Sequence, residues 1–170
     1  TDGHTLKICQ RLRQQMRSTQ SHDVTLRSLD EGSAPDLTIF DALVIGASIR
    51  YGKHKQCVYD FIQRNQPYLN SIPNAFFSVN VVARKPDKAD PDTNPYVRKF
   101  LKQVSWQPKI LAVFAGKIDY KKYRFWDKQM IRLIMWMTNG PTDLDKEVEF
   151  TDWDKVDDFG RLVGGMQELL

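Results

Sequence analysis

The chain has 170 residues, 41% of them hydrophobic, which is enough to fill one core of ordinary size and predicts a single domain over residues 1–170. It carries 25 Lys and Arg against 21 Asp and Glu, and this basic balance favours anionic partners such as nucleic acid, acidic lipid or a carboxylate-bearing substrate. The two cysteines, Cys9 and Cys57, fit reduced thiols, and no spacing predicts a metal site. No apolar run approaches the roughly 20 residues that a membrane-spanning helix needs.

The first elements along the chain are a helix and two strands. A helix is predicted from about residue 4, and its apolar side chains recur at helical spacing: Leu6, Cys9, Leu12 and Met16. The segment 24–30 alternates like a half-buried strand. The segment 40–49 carries the continuous apolar run of a strand that is buried on both faces, which indicates a parallel sheet.

Helices and strands continue to alternate along the rest of the chain. A helix at about 54–69 is predicted to turn inward the side chains Val58, Phe61, Ile62 and Leu69. It is followed by a strand at 75–82, a helix at about 95–105, strands at 109–118 and 146–152, and a helix at about 153–169. This alternation predicts a doubly wound α/β sheet with helices on both sides.

The glycine-bearing loop at the start of the chain feeds directly into a helix. Such a loop normally follows a strand, whereas here it begins at the first residue of the sequence. We therefore expect that the natural protein has several more residues before Thr1, including a leading strand.

Three loops are expected at one edge of the sheet, because ligands of such folds bind beyond the carboxyl ends of the strands. The first loop, Thr1, Asp2, Gly3, His4 and Thr5, offers hydroxyls and helix amides that suit a phosphate. Its alternative is an ordinary helix cap formed by Thr5 or Asp2. The other two loops follow the strands at 40–49 and 75–82, and each could be a plain connection.

The segment 120–137, YKKYRFWDKQMIRLIMWM, forms a basic amphipathic helix when it is drawn at helical spacing. One stripe consists of Lys121, Arg124, Lys128 and Arg132. The opposite face gathers Tyr123, Trp126, Met130, Leu133, Ile134 and Met137. Such a helix binds the surface of an anionic bilayer, or its apolar face packs on the domain and its basic face is solvated.

These motifs resemble a known family over essentially the whole chain. The stretches TDGHT, VIGASIRYGKH, FFSVNVVARKP with TNPYVRKFL, and VFAGKIDYKKYRFWDKQMIRLIMWM with EVEFTDW are similar to the flavodoxin-like, quinone-dependent protoporphyrinogen IX dehydrogenases of bacterial haem biosynthesis. The resemblance implies an FMN cofactor and a flavodoxin-like sheet of five parallel strands. The missing strand would be central, and an insertion at about 119–145 would interrupt the last strand.

The resemblance also implies where FMN binds. The phosphate would be held by Thr1, Asp2, Gly3, His4 and Thr5, although Asp2 stands where flavodoxins usually have a hydroxyl residue. Two loops would flank the isoalloxazine ring. Their residues are Ala47, Ser48, Ile49, Arg50, Tyr51 and Gly52 in one loop, and Ser78, Val79, Asn80, Val81, Val82, Ala83 and Arg84 in the other.

The implied reaction is oxidation of protoporphyrinogen IX to protoporphyrin IX, with electrons passed to menaquinone or ubiquinone. The cationic residues Lys121, Arg124, Lys128 and Arg132 would receive the propionates of the substrate or an anionic membrane surface. We expect a peripheral protein on the cytoplasmic side of the bacterial inner membrane.

No catalytic residue can be assigned from the sequence. Tyr51 and His54 are candidates for proton transfer because they lie close to a flavin loop, but a histidine that starts a helix is more often a cap or solvent-exposed. Arg50 and Arg84 are expected to act as electrostatic partners of flavin or substrate.

Two other functions remain compatible with the sequence. One is an NAD(P)H-quinone reductase or a flavodoxin-type electron carrier. The other is a flavin-free domain that binds membrane surfaces or nucleic acid. Nucleic acid is not expected as a partner, because the cationic stripe is backed by Met, Ile and Leu rather than by spaced stacking aromatics.

Overall fold

The computed structural model describes residues 3–20, 22–29, 36–119 and 147–166. Its helices are α1 (His4–Gln20), α2 (Gln56–Ser71), α3 (Pro95–Leu101) and α4 (Trp153–Gly164). Its strands are β1 (Leu43–Ser48), β2 (Asn74–Asn80), β3 (Ile110–Ala115), β4 (Lys117–Asp119) and β5 (Glu147–Glu149). The predicted basic helix at 120–137 lies outside the described residues.

The main sheet has the order β1–β2–β3, and both pairs of neighbouring strands are parallel. Every residue of β2 is buried, which is expected of the middle strand of a parallel sheet covered on both faces. The predicted α/β class and parallel sheet are therefore confirmed. Within the described ranges this sheet has three strands.

Burial on both faces belongs to β2 and not to β1, for which it was predicted. In β1 only Ile45 and Ala47 are buried, and the other residues are partly exposed. The difference follows from position, because β1 is at the edge of the described sheet while β2 has a strand on each side. An apolar run alone does not distinguish an edge strand from a central one.

The prediction of a strand at 24–30 is wrong, because the described residues of this segment, 24–29, form no strand. Residues 22–27 alternate in burial, and residues 22–29 belong to no strand ladder. Val24 packs against the core, and the Nε2 atom of His22 lies 2.8 Å from the carbonyl oxygen of Gly164 in α4. Alternating burial therefore shows only that one face of a segment is buried. A segment that packs on helices has such a face even when it pairs with no strand.

Helices α1 and α4 pack together on one face of the sheet. The buried apolar side chains of α1 are Ile8, Leu12 and Met16, whereas Leu6 is 50% exposed, contrary to its place in the predicted apolar series. Gly160 of α4 allows the close approach, since a Cβ there would lie 3.3 Å from Leu12. The apolar face of α1 therefore depends on α4 for its cover.

Helix α2 covers the opposite face of the sheet, and its four predicted inward side chains are all buried. Two successive residues of β2 show the layering directly. Phe77 belongs to the cluster with α1 and α4, whereas Phe76 packs with α2, Phe100 and Trp106. Helices on both sides of the sheet are thus confirmed.

The predicted strand at 109–118 divides at Gly116 into two elements. β3 ends at Ala115, and β4 then pairs antiparallel with β5, with Lys117 opposite Glu149. Phe150 N donates to Gly116 O at 3.2 Å beside this ribbon. The chain that leaves at Asp119 therefore returns alongside at Glu147. None of the helices in the described part is long and apolar enough to cross a membrane.

Candidate functional site

The three predicted loops meet at the carboxyl edge of the main sheet. After β1, Ile49 N donates to Val79 O at 2.9 Å, which places that loop beside the end of β2. The start of α1 reaches the same edge, because His4 contacts Thr151, whose hydroxyl donates to the carbonyl of Ala115 at the end of β3. The sheet edge thus collects the segments that the sequence identified, except Thr1 and Asp2, which are outside the described residues.

The first turn of α1 offers unpaired donors to an anion. Lys7 N donates to Gly3 O at 3.0 Å, and the amides of Thr5 and Leu6 precede this hydrogen bond in the first turn of the helix. Gly3 has φ +77°, and a Cβ there would meet nothing within 4 Å. The hydroxyl oxygen of Thr5 is buried without a hydrogen-bond partner. Thr5 is therefore not a helix cap, and an acceptor oxygen at this turn would satisfy its hydroxyl.

His4 is held in place by its own hydrogen bond. Its ring is buried, and Nε2 lies 2.6 Å from the hydroxyl oxygen of Thr151. Because the single hydroxyl proton of Thr151 goes to Ala115 O at 2.8 Å, the hydroxyl oxygen accepts and His4 Nε2–H donates. The ring also meets Trp153 edge-on at 6.2 Å between centroids. The side chain of His4 thus contacts the chain after β5, while its backbone is part of the first turn of α1.

A second set of contacts joins α1 to the same region. Glu149 accepts from Lys7 Nζ at 3.0 Å and from Trp153 Nε1 at 2.7 Å. Burial raises the pKa of Glu149, but these two hydrogen bonds and the nearby charges of Lys7 and His4 together outweigh burial and leave the pKa below its ordinary value. The ammonium of Lys7 also lies 4.8 Å from the centre of the Trp153 ring. An ion pair at the protein surface, between Lys7 and Glu149, therefore joins α1 to the β4–β5 ribbon.

The loop after β1 is a tight two-residue turn. Arg50 N donates to Lys53 O at 2.9 Å, and Lys53 N donates back at 3.3 Å. Both central residues have positive φ, +51° at Tyr51 and +77° at Gly52, as such hairpin turns require. Tyr51 is 64% exposed, and the guanidinium of Arg50 lies 5.6 Å from the centre of its ring. The turn therefore presents an aromatic ring and a cation outward from a fixed backbone.

His54, which follows this turn, is neither a helix cap nor an exposed residue, contrary to expectation. It is 1% exposed, and its ring lies edge-on to Phe76 and Phe100. Nε2 is 3.0 Å from the Ser78 hydroxyl oxygen in β2, while Nδ1 has no partner. Burial lowers the pKa of His54 to about 4. A neutral, enclosed ring anchors the turn and is not placed to exchange protons with a substrate.

The loop after β2 is organised by two buried asparagines. Asn80 Oδ1 accepts from Ala83 N at 3.0 Å and from Asn94 Nδ2 at 3.2 Å. Asn94 Oδ1 in turn caps α3. Arg84 emerges from this frame, with its guanidinium 5.9 Å from the centre of the Phe150 ring. The loop therefore has a preset shape and carries a partly exposed cation at its end.

Comparison with known proteins agrees with this architecture. A family model described as a flavodoxin domain matches residues 1–145. The protein named "Protoporphyrinogen IX dehydrogenase [quinone]" from Escherichia coli strain K12 is 41% identical over 169 residues, which cover 98% of this chain and 92% of that protein. The chain belongs to this family. The Leishmania major member with the same name is 39% identical over 156 residues, covering 92% of this chain and 68% of that protein. No solved structure matches the chain.

Family membership indicates the class of the cofactor, because a flavodoxin domain suggests a flavin. The structure divides the predicted flavin residues into two groups by burial. The buried residues are His4, Ala47, Ser78, Val79, Asn80 and Ala83. Those with exposed or partly exposed surface are Gly3, Thr5, Ser48, Ile49, Arg50, Tyr51, Gly52, Val81, Val82 and Arg84. The cationic set Lys121, Arg124, Lys128 and Arg132 lies outside the described residues.

Sequence reasoning missed two side chains that support these loops in this family member. The sequence pattern predicts only that Thr151 belongs to a short strand, and nothing local shows that it contacts His4, 147 positions earlier. Asn94 could have been found, because an asparagine directly before a proline is a recognisable start of a helix.

Proposed function

We propose that this chain is an FMN-dependent oxidoreductase that oxidises protoporphyrinogen IX to protoporphyrin IX in haem biosynthesis and passes the electrons to a membrane quinone, menaquinone or ubiquinone. The observation that carries the proposal is the 41% identity, over nearly the full length of both chains, to a protein named for this activity. The proposal includes the five-stranded flavodoxin-like sheet and the single domain, 1–170, with an insertion at about 119–145.

The described residues fit FMN at the sheet edge. Its phosphate would accept from the first-turn amides of α1 and from the Thr5 hydroxyl, which is otherwise buried without a partner. Its ring would lie between the Arg50–Lys53 turn and the loop after Asn80. When bound, FMN supplies two-electron redox chemistry that amino-acid side chains lack. The chain contributes binding, orientation and charge.

The overall reaction removes six electrons and six protons from the porphyrinogen, and three quinones become three quinols. Arg50, at the turn after β1, and Arg84, at the end of the loop after β2, would attract the carboxylates of the substrate. His54 is too deeply enclosed to accept a proton from a macrocycle, so Tyr51, on the exposed turn, remains the candidate of the two. Arg50 over the Tyr51 ring would keep that ring at the mouth of the site.

The proposal also places the protein on the cytoplasmic side of the bacterial inner membrane as a peripheral protein. The support is the sequence of residues 120–137, where four cations share one helical stripe opposite an apolar face. Replacing Lys121, Arg124, Lys128 and Arg132 together by Gln should reduce sedimentation with acidic liposomes and also reduce turnover. Unchanged sedimentation would contradict the membrane assignment and leave the catalytic one standing.

The test of the reaction is anaerobic porphyrin formation. The purified protein is loaded with FMN and mixed with protoporphyrinogen IX and a menaquinone analogue, and porphyrin fluorescence is followed. We expect fluorescence to rise only when quinone is present. If flavin binds but no porphyrin forms, while NAD(P)H is oxidised in the presence of quinone, the chain is a quinone reductase instead. If no flavin binds, the enzyme assignment is refuted.

A further inference from the structure

The hydroxyl of Thr151 joins three separate elements of the fold. It donates to Ala115 O at the end of β3 and accepts from His4, the first residue of α1. Thr151 itself lies between β5 and α4, so its one oxygen atom is shared by a strand end, a helix start and the returning chain.

The backbone on both sides of Thr151 is fixed independently of that hydroxyl. Before it, Phe150 N donates to Gly116 O at 3.2 Å. After it, Asp152 caps α4 by accepting from Asp154 N at 3.1 Å and from Lys155 N at 3.2 Å. The hydroxyl is therefore preset, and His4 must adjust to it.

The consequence of this contact falls on the next residue, Thr5. Its side-chain oxygen is buried and unpartnered in the first turn of α1, and the phosphate of a bound flavin would meet this hydroxyl together with the amides of Thr5 and Leu6. A hydrogen bond from an amide or hydroxyl weakens steeply when its geometry is disturbed. Fixing the His4 ring fixes the register of this turn against the end of β3.

We propose that Thr151 is a positioning residue for the flavin phosphate: through its hydrogen bond from His4 it holds the first turn of α1 where the phosphate binds. This inference rests on the proposed function, because it requires that FMN binds at that turn. If Thr151 only stabilised the fold, its replacement would weaken the binding of every flavin. A positioning role predicts that affinity is lost only for a flavin that carries a phosphate.

The test compares FMN with riboflavin, which has the same ring and lacks the phosphate. Both dissociation constants are measured by quenching of flavin fluorescence for the wild type, Thr151→Val and Thr151→Ser. Thr151→Val should raise the dissociation constant of FMN about tenfold and change that of riboflavin by less than about twofold. Thr151→Ser retains the hydroxyl and should keep the FMN affinity of the wild type.

A control and a second variant keep the result interpretable. Arg11→Gln breaks the paired contacts to Asp157, at 2.8 and 2.6 Å, which also join α1 to the end of the chain, and it should not change the ratio of the two flavin affinities. If Thr151→Val does not fold, His4→Phe removes the same hydrogen bond from the other side and should show the same phosphate-specific loss.

The outcomes separate the inference from the proposed function. A wild type that prefers FMN, together with a Thr151→Val variant that keeps this preference, overturns the inference alone. An equal loss of both flavins in Thr151→Val also overturns it, because that result indicates general damage to the fold. A wild type that binds neither flavin overturns both.

Discussion

Replacing Gly46 by alanine should disrupt the core from within β1. Gly46 pairs with Phe77 in the sheet, and a Cβ at Gly46 would lie 2.6 Å from Cε1 and 2.8 Å from Cε2 of that ring. The ring cannot withdraw easily, since it is fully buried and packs against Phe114 and Phe159 with centroids 5.5 and 5.9 Å away. We expect the free energy of unfolding to fall by about 3 kcal/mol, at the upper end of the usual cost of overpacking.

Urea unfolding of the flavin-free protein, followed by circular dichroism, measures this loss. Gly165→Ala is the matched control, because its added Cβ would meet carbonyl oxygens only at 3.8 Å, and its effect should stay within about 0.5 kcal/mol. Phe77→Leu shortens the opposing side chain, so the double variant should lose less than the sum of the two single losses. A Gly46→Ala protein as stable as the wild type would refute the argument that this position has no room for a side chain.

Three further predictions concern side chains away from the β1–β2 contact. Burial lowers the pKa of His54 from 6.5 to about 4, so folding favours the neutral ring. About 3 kcal/mol of stability that is present above pH 6.5 should therefore be lost as the pH falls to about 4. Urea unfolding measured as a function of pH should show a shallower dependence for His54→Gln than for the wild type. Asn94→Ala removes the cap of α3 and a partner of Asn80, and thermal unfolding should show a loss of about 2 kcal/mol; an unchanged midpoint would contradict this. Burial raises the pKa of the Cys9 thiol to about 11, so iodoacetamide at pH 8 should modify it in urea but hardly in the folded protein, as mass spectrometry would show.

Local pattern was sufficient for the elements whose burial is set within one helix. Each buried side chain of α2 was predicted correctly, because the periodicity of a helix is visible in the sequence itself. These residues are Val58, Phe61, Ile62 and Leu69. The same reasoning failed where burial depends on neighbours. β1 was expected to be buried on both faces and is a partly exposed edge strand of the described sheet, and residues 22–27 alternate in burial without belonging to a ladder.

The candidate site divides in a similar way. The three loops were found from the sequence because each follows a predicted strand or precedes a helix, and parallel strands bring such loops to one edge. The supports of those loops were not found. His54 and Ser78 are 24 positions apart, and His4 and Thr151 are 147 apart, so only the folded chain shows that each pair is in contact.

The packing of α1 on α4 bears on how the protein is made. Arg11 and Asp157, which pair across these helices, are 146 residues apart, so α1 is synthesised long before its cover exists. During translation the apolar side chains Ile8, Leu12 and Met16 remain without their partners on α4 until that helix has left the ribosome. This half of the core is therefore completed only after α4 has been synthesised, and until then a chaperone would have the opportunity to bind the apolar face of α1.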